Sequence, residues 1–165
     1  MTTDDALDLL RRHQPMPDDE VLTEELIQRY DEVRKHFIES PDQRCIPLFL
    51  GSFGEGDGLG VYQLVEDVLI QYPPHQVIPH LETALSSSHR SIRYWAAEIS
   101  ANFPSQQLLH ALSALLDEHD EDLVSASVIA LGQLESPEAR SALRSALGKA
   151  PSEHVRGFIE EQLAT

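Results

Sequence analysis

The side chains of this 165-residue chain that could do chemistry are eight histidines, one cysteine and a large excess of carboxylates. His75 and His80 lie five apart, which puts them on different faces of a helix, whereas a helical zinc pair needs a separation of three or four. There is no H-E-x-x-H and no Cys/His ligand spacing, so the histidines read as exposed or locally hydrogen-bonded groups. Cys45 follows the apolar pattern beside Ile46, which predicts a buried, inert thiol rather than a nucleophile. The densest acidic run is Asp117, Glu118, Asp120, Glu121 and Asp122. It lacks the alternating ligands and central glycine of an EF-hand. It reads as a solvated loop whose acids suit a helix N-terminus, or as a contact patch for a cationic partner. Residues 54–58, Gly-Glu-Gly-Asp-Gly, have no feeding strand and no P-loop lysine, and Glu55 and Asp57 would repel phosphate. This segment reads as a flexible connection, with a mobile acidic contact loop as the functional alternative. Serine, histidine and aspartate occur in no nucleophile motif. The expectation is a protein that is not an enzyme, without metal or cofactor.

Charge bears on the partner. Twelve Lys+Arg against 28 Asp+Glu leave a formal net charge of -16. Nucleic acids are bound mainly by Lys and Arg neutralising phosphates, and no basic cluster is present, so DNA and RNA are excluded as expected partners. The acidity either keeps the chain soluble or attracts a basic protein, for which complementary charge speeds encounter and enforces selectivity. No apolar run approaches the ~20 residues of a membrane span, and no membrane association is expected. The N-terminus, MTTDDALDLLRR, opens on acids, unlike a secretory signal. With a single cysteine there is no internal disulfide framework, and a cytoplasmic location is expected. Oligomeric state is not legible.

The elements that must position these groups follow from a period of 31 residues. Val61, Val65, Val68 and Tyr72 stand at offsets 0, 4, 7 and 11; Ile92, Ala96, Ile99 and Phe103 repeat them, and so do Leu123, Ser127, Ala130 and Leu134. A second pair recurs between them at Leu81/Leu85, Leu112/Leu116 and Leu143/Leu147, preceded by Phe49/Phe53. These offsets mark one face of a helix, so each unit is two amphipathic helices, and units of this length stack into an array. Around them the sequence predicts a short helix over 1–13, a break at Gln14–Pro17, and a long helix from Asp18-Asp19. A further helix is predicted to start at Ser40-Pro41 and run to about Phe53. The first repeat helix is predicted from Leu59 or Gly60 to Tyr72, and Ser88, Ser136 and Ser152 are candidate caps. No strand alternation is present. The fold class is all-α, a solenoid of about four helix pairs over 41–165 with an N-terminal helical cap over 1–40. Trp95 is expected to pack between layers; Tyr94 is open between packing and contact.

Several stretches resemble HEAT-type repeats, particularly the short bacterial variety. Residues 77–85, VIPHLETAL, are similar to the start of the family's second helix, and residues 128–147, VIALGQLESPEARSALRSAL, resemble its A-L-G-x-L, P-E-A, L-x-x-x-L run. Ser91–Ala97 and Val155-Arg156 echo the start of a first helix. The pattern lacks its arginine at Leu123-Val124-Ser125, and the glycine-rich loop is not a family feature. The resemblance implies that the second helices line a concave binding side. Their outward residues would be His75, Gln76, His80 and Glu82; Gln106, Gln107, His110 and Ser113; and Arg140, Ser141 and Arg144. Together with Glu55, Asp57, Asp117, Glu118 and Asp120, the first two of these groups, His75 to Glu82 and Gln106 to Ser113, form the candidate partner-binding set.

Small size, acidity and short units are also similar to immunity proteins that neutralise bacterial toxins, which would make the partner a basic toxin domain. A regulatory scaffold or adaptor is the alternative. A phycobilin-lyase-like, chromophore-handling role is a further resemblance, and a HEAT-like DNA glycosylase is disfavoured by the charge.

Overall fold

Apolar residues spaced three and four apart give ten α-helices and no strand in the computed structural model, which describes residues 1–165. In chain order they are α1 (Thr3–Arg11), α2 (Glu24–Glu39), α3 (Cys45–Leu50), α4 (Glu66–Leu69), α5 (Pro74–Leu85), α6 (Arg90–Ser100), α7 (Leu109–Leu115), α8 (Glu121–Gly132), α9 (Pro137–Leu147) and α10 (Glu153–Ala164). One-turn 3-10 segments at Tyr62–Val65 and Gln106–Leu108 lead into α4 and α7. From α5 onward, α6, α8 and α10 pack side by side, as do α5, α7 and α9; across the rows α5 packs on α6, α7 and α9 pack on α8, and α9 packs on α10. The result is two layers sharing a seam.

The 31-residue pattern supplies that seam. Of the first-helix positions only Val61 and Leu134 are half-buried; Val65, Val68, Tyr72, Ile92, Ala96, Ile99, Phe103, Leu123, Ser127 and Ala130 are buried. Leu81, Leu85, Leu112, Leu116 and Leu143 do the same for the second helices. Ser127 stands where other units carry Val65 or Ala96, and its hydroxyl donates to the Leu112 carbonyl at 2.5 Å. A buried polar group is thereby satisfied across the seam.

At the N-terminal end α1 packs on α2 and α3, and aromatic rings replace the leucine seam. Tyr30 meets Phe49 and Tyr62 edge-on, with centroids 5.8 Å apart in both cases. Phe37 meets Phe49 at 5.9 Å, and Phe53 stacks on Trp95 at 5.6 Å. Tyr30, Phe37, Phe49 and Phe53 are fully buried, each contributing about 1.5–3 kcal/mol through its apolar surface. A single apolar cluster runs from Ala6 to Ile159. Trp95 packs between layers as expected, and Tyr94 is half-buried.

Several predicted boundaries move. The long helix starts at Glu24, not at Asp18-Asp19, because Thr23 caps it by accepting the Leu26 N–H; the two aspartates are used elsewhere. Ser40 ends α2, its N–H donating to His36 O at 2.8 Å, rather than opening α3. α3 begins at Cys45 with no side-chain cap and stops at Leu50, short of Phe53. The first repeat helix is abbreviated to a 3-10 turn and one turn of α-helix. Ser88 caps nothing: α6 follows His89, which makes no side-chain cap bond. Ser136 and Ser152 cap α9 and α10 as expected, accepting from Ala139 N–H and Val155 N–H.

Candidate functional site

The glycine-rich segment is not a free connection. Asp18 accepts the Glu55 N–H (3.1 Å), and Asp19 accepts those of Asp57 and Gly58 (both 3.0 Å). Tyr62 Oη accepts the Gly54 N–H, and Trp95 Nε1–H donates to the Gly56 carbonyl at 3.3 Å. The expectation of a flexible or mobile loop is therefore corrected: five hydrogen bonds pin it, and Gly56 (φ +106°) and Gly58 (φ +60°) adopt left-handed backbone that suits glycine. Glu55 Oε1 accepts the Ser91 N–H at 3.1 Å, so a carboxylate 36 residues upstream satisfies the α6 N-terminus that Ser88 leaves open.

Arg90 gathers the acids around this point. Its guanidinium donates to Asp120 at 2.7 and 3.1 Å, to Asp122 at 3.3 Å and to Glu55 at 3.5 Å, and lies 5.4 Å from the centre of the Tyr94 ring. That bonding holds the Asp120 carboxyl below the usual carboxylate range and the arginine firmly cationic. Asp120 also caps α8, accepting from Asp122 and Leu123 N–H. Glu118 faces Arg93 at 3.7 Å, and Asp117 pairs with Lys149. Of the five acidic candidates, Glu55, Asp117, Glu118 and Asp120 are thus engaged by cations of the chain itself. Exposed Asp57 accepts the Gly60 N–H at 3.1 Å.

The second-helix candidates share a surface. Gln107 donates to Glu82 at 2.8 Å and Gln106 to Glu138 at 3.4 Å, bonds that bridge neighbouring units. His75, Gln76 and His80 line a groove of about 390 Å³ against Arg44 and Pro47, and His80 and Pro47 continue into a cleft of about 320 Å³ floored by Leu50, Gly51 and Ile92. His110 and Ser141 are exposed, Ser113 is half-buried, and Arg140 donates to the Leu163 carbonyl at 2.5 Å. Charge here is nearly balanced. Residues 44–50, 74–85, 106–116 and 137–147 hold three arginines (Arg44, Arg140, Arg144) against two carboxylates (Glu82, Glu138).

The acidity lies elsewhere. Residues 51–69 carry four carboxylates and 117–122 five, with no Lys or Arg in either. Partial burial pushes the carboxyls of Glu66 and Glu98 above the usual range, helped by Asp67 for Glu66 and by Glu66 for Glu98. Cys45 is buried, its thiol pushed up to about 11 mainly by desolvation, and is inert at neutral pH. Sequence reasoning missed the role of Arg90. Its distance of 30 residues from Asp120, close to one repeat period, is the signal that pointed to it.

Helix pairs stacked in two rows with an interval of about 31 residues define an α-solenoid of repeated hairpins. A family model described as HEAT repeats matches residues 78–164, more than half the chain, and the protein belongs to that HEAT-repeat family. The match opens inside α5, leaving the abbreviated first unit outside it. A search of the curated proteins finds no match to the chain. Proteins built from HEAT repeats generally act through protein–protein contact, and no helix here is long and apolar enough to cross a membrane.

Proposed function

We propose that this chain is an acidic protein-binding module whose partner is basic, and that it acts as an immunity protein, covering the nucleic-acid-binding surface of a toxin domain. The observation that carries this reading is the segregation of charge: nine carboxylates in 51–69 and 117–122, no Lys or Arg within either segment, and a net charge of -16 overall. A toxin surface built for phosphates is rich in Lys and Arg, and an acidic protein competes for the same groups while gaining encounter rate from long-range attraction.

The experiment is affinity purification from the source cells, with identification of what co-elutes and co-expression against any toxic neighbouring gene product. The reading expects a 1:1 complex with a basic domain, rescue of toxicity, and an affinity at least about tenfold weaker at ~500 mM salt than at ~50 mM. A complex with a neutral or acidic protein, or one indifferent to salt, would overturn it. An adaptor role is the second reading, favoured by the near-neutral second-helix surface, where His75, Gln76, His80 and His110 offer hydrogen bonds without strong charge. It expects a partner lost on substituting those residues and little affected by salt.

A further inference from the structure

A groove of about 580 Å³ runs between α2 and the turn that follows the pinned loop. Glu24, Ile27, Gln28, Asp31, Glu32 and Lys35 of α2 form one wall and Leu59 and Val61 the other. Asp31 is neutralised within its own helix by Arg34 at 2.7 Å and Lys35 at 2.8 Å. Glu24 and Glu32 are exposed and pair with no cation.

Leu59 is the unusual residue. It has φ +51° between Gly58 at +60° and Gly60 at +88°, a left-handed conformation that the Cβ of an L-residue disfavours. Its side chain is not repaid by burial, being 54% exposed. Nor is the position loose: Asp19 holds the Gly58 N–H, Asp57 Oδ1 holds that of Gly60, and the Asp57 carbonyl accepts from Tyr62 N–H at 3.2 Å. A rigid turn presents a bare leucine beside two unneutralised carboxylates, which matches an interface of an apolar anchor flanked by charge.

We propose that this groove is the contact for a basic segment of the partner protein, an apolar side chain of which packs on Leu59 and Val61 while its Lys or Arg reach Glu24 and Glu32. The proposal rests on the basic-partner reading above and places that contact on the N-terminal cap instead of the second helices.

The test pans a phage-displayed library of 12-residue peptides on the whole protein and measures the recovered peptides by fluorescence anisotropy. Selected sequences are expected to place Leu, Ile or Phe beside Lys or Arg. Leu59→Gly puts the best-suited residue into a left-handed position, so its far-UV CD and melting temperature stay near wild type while affinity drops about tenfold or more. The pair Glu24→Gln and Glu32→Gln is expected to weaken binding similarly and to flatten its salt dependence, with Glu160→Gln on the exposed side of α10 as the unaffected control. Basic peptides that bind Leu59→Gly as well as wild type but fail on Gln76→Ala or Gln107→Ala would overturn this proposal and leave the basic-partner reading standing. A selection that yields no basic-apolar sequence overturns the proposal, and enrichment of acidic or neutral peptides counts against the basic partner as well.

Discussion

Arg90 joins parts of the chain far apart in sequence through one guanidinium, reaching Glu55 in the loop and Asp120 and Asp122 at the start of α8. Replacing it by methionine keeps the aliphatic stem and leaves three carboxylates facing one another. The expected loss is about 1–2 kcal/mol, which lowers the melting temperature by about 3–6 °C; calorimetry checks it, and an unchanged melt would mean that these contacts are screened away. Asp120, together with Glu66 and Glu98, gives stability a pH profile with two opposing slopes. Asp120 titrates below its ordinary 3.8 in the fold, so its stabilisation is present above that value and lost as pH falls through the folded one. Glu66 and Glu98 titrate above their ordinary 4.5, so their ionised forms disfavour the fold at neutral pH and protonation removes that penalty. The melting temperature is therefore expected to rise as pH falls from neutrality toward 4.5 and to fall again below 3.8. Thermal melts across this range test it: a steady decline from neutrality contradicts the assignment, and Glu98→Gln should flatten the rise.

The helices whose ends are set locally were legible from sequence, and those whose ends are set by distant contacts were not. α9 and α10 begin at serines whose side chains bond their own third residue, a signal contained in four consecutive residues. α2 and α6 were misplaced for a shared reason. Asp18 and Asp19 look like the acids of a helix start, yet they bind backbone N–H groups at 55–58, and the α6 N-terminus is satisfied by Glu55 instead of Ser88. Such bonds span 36–39 residues and have no local signature. The loop is consequently intolerant of side chains. A Cβ on Gly56 would stand 2.2 Å from the Asp19 carboxylate, and one on Gly58 2.6 Å from the Tyr62 ring, both at positive φ. Gly58→Ala is expected to destabilise by about 1–3 kcal/mol, read as a lower midpoint in urea; an unaltered midpoint would show the turn to be pliable.

For the whole molecule, the period in the sequence specified the stack, because each amphipathic pair can bury its face only against the next. What it did not specify was where the charge would sit. The second helices, expected to offer the partner surface, are nearly neutral, and the carboxylates crowd the loops and the cap. The groove beside α2 went unread because it joins residues 24–35 to 59–61, a pairing without periodicity. Tyr30 and Phe37 of α2 lie fully buried against Phe49, so we propose that residues 1–40 are a cap the array needs. Deleting them is expected to expose Ile46 and Phe49, giving dye binding by hydrophobic probes and a broad, weakly cooperative melt; a sharp transition at the original temperature would refute the capping role.

Polar links recur at close to one repeat interval: Arg90 with Asp120, Gln106 with Glu138, Asp117 with Lys149. A rule of that kind is modular. A gene segment encoding one internal hairpin, copied in frame, would bring with it the apolar face, and the Arg90–Asp120 link where the copied segment spans both residues. Lengthening by whole units is thus a small evolutionary step for this protein, whereas inserting or losing a few residues would break the links on either side.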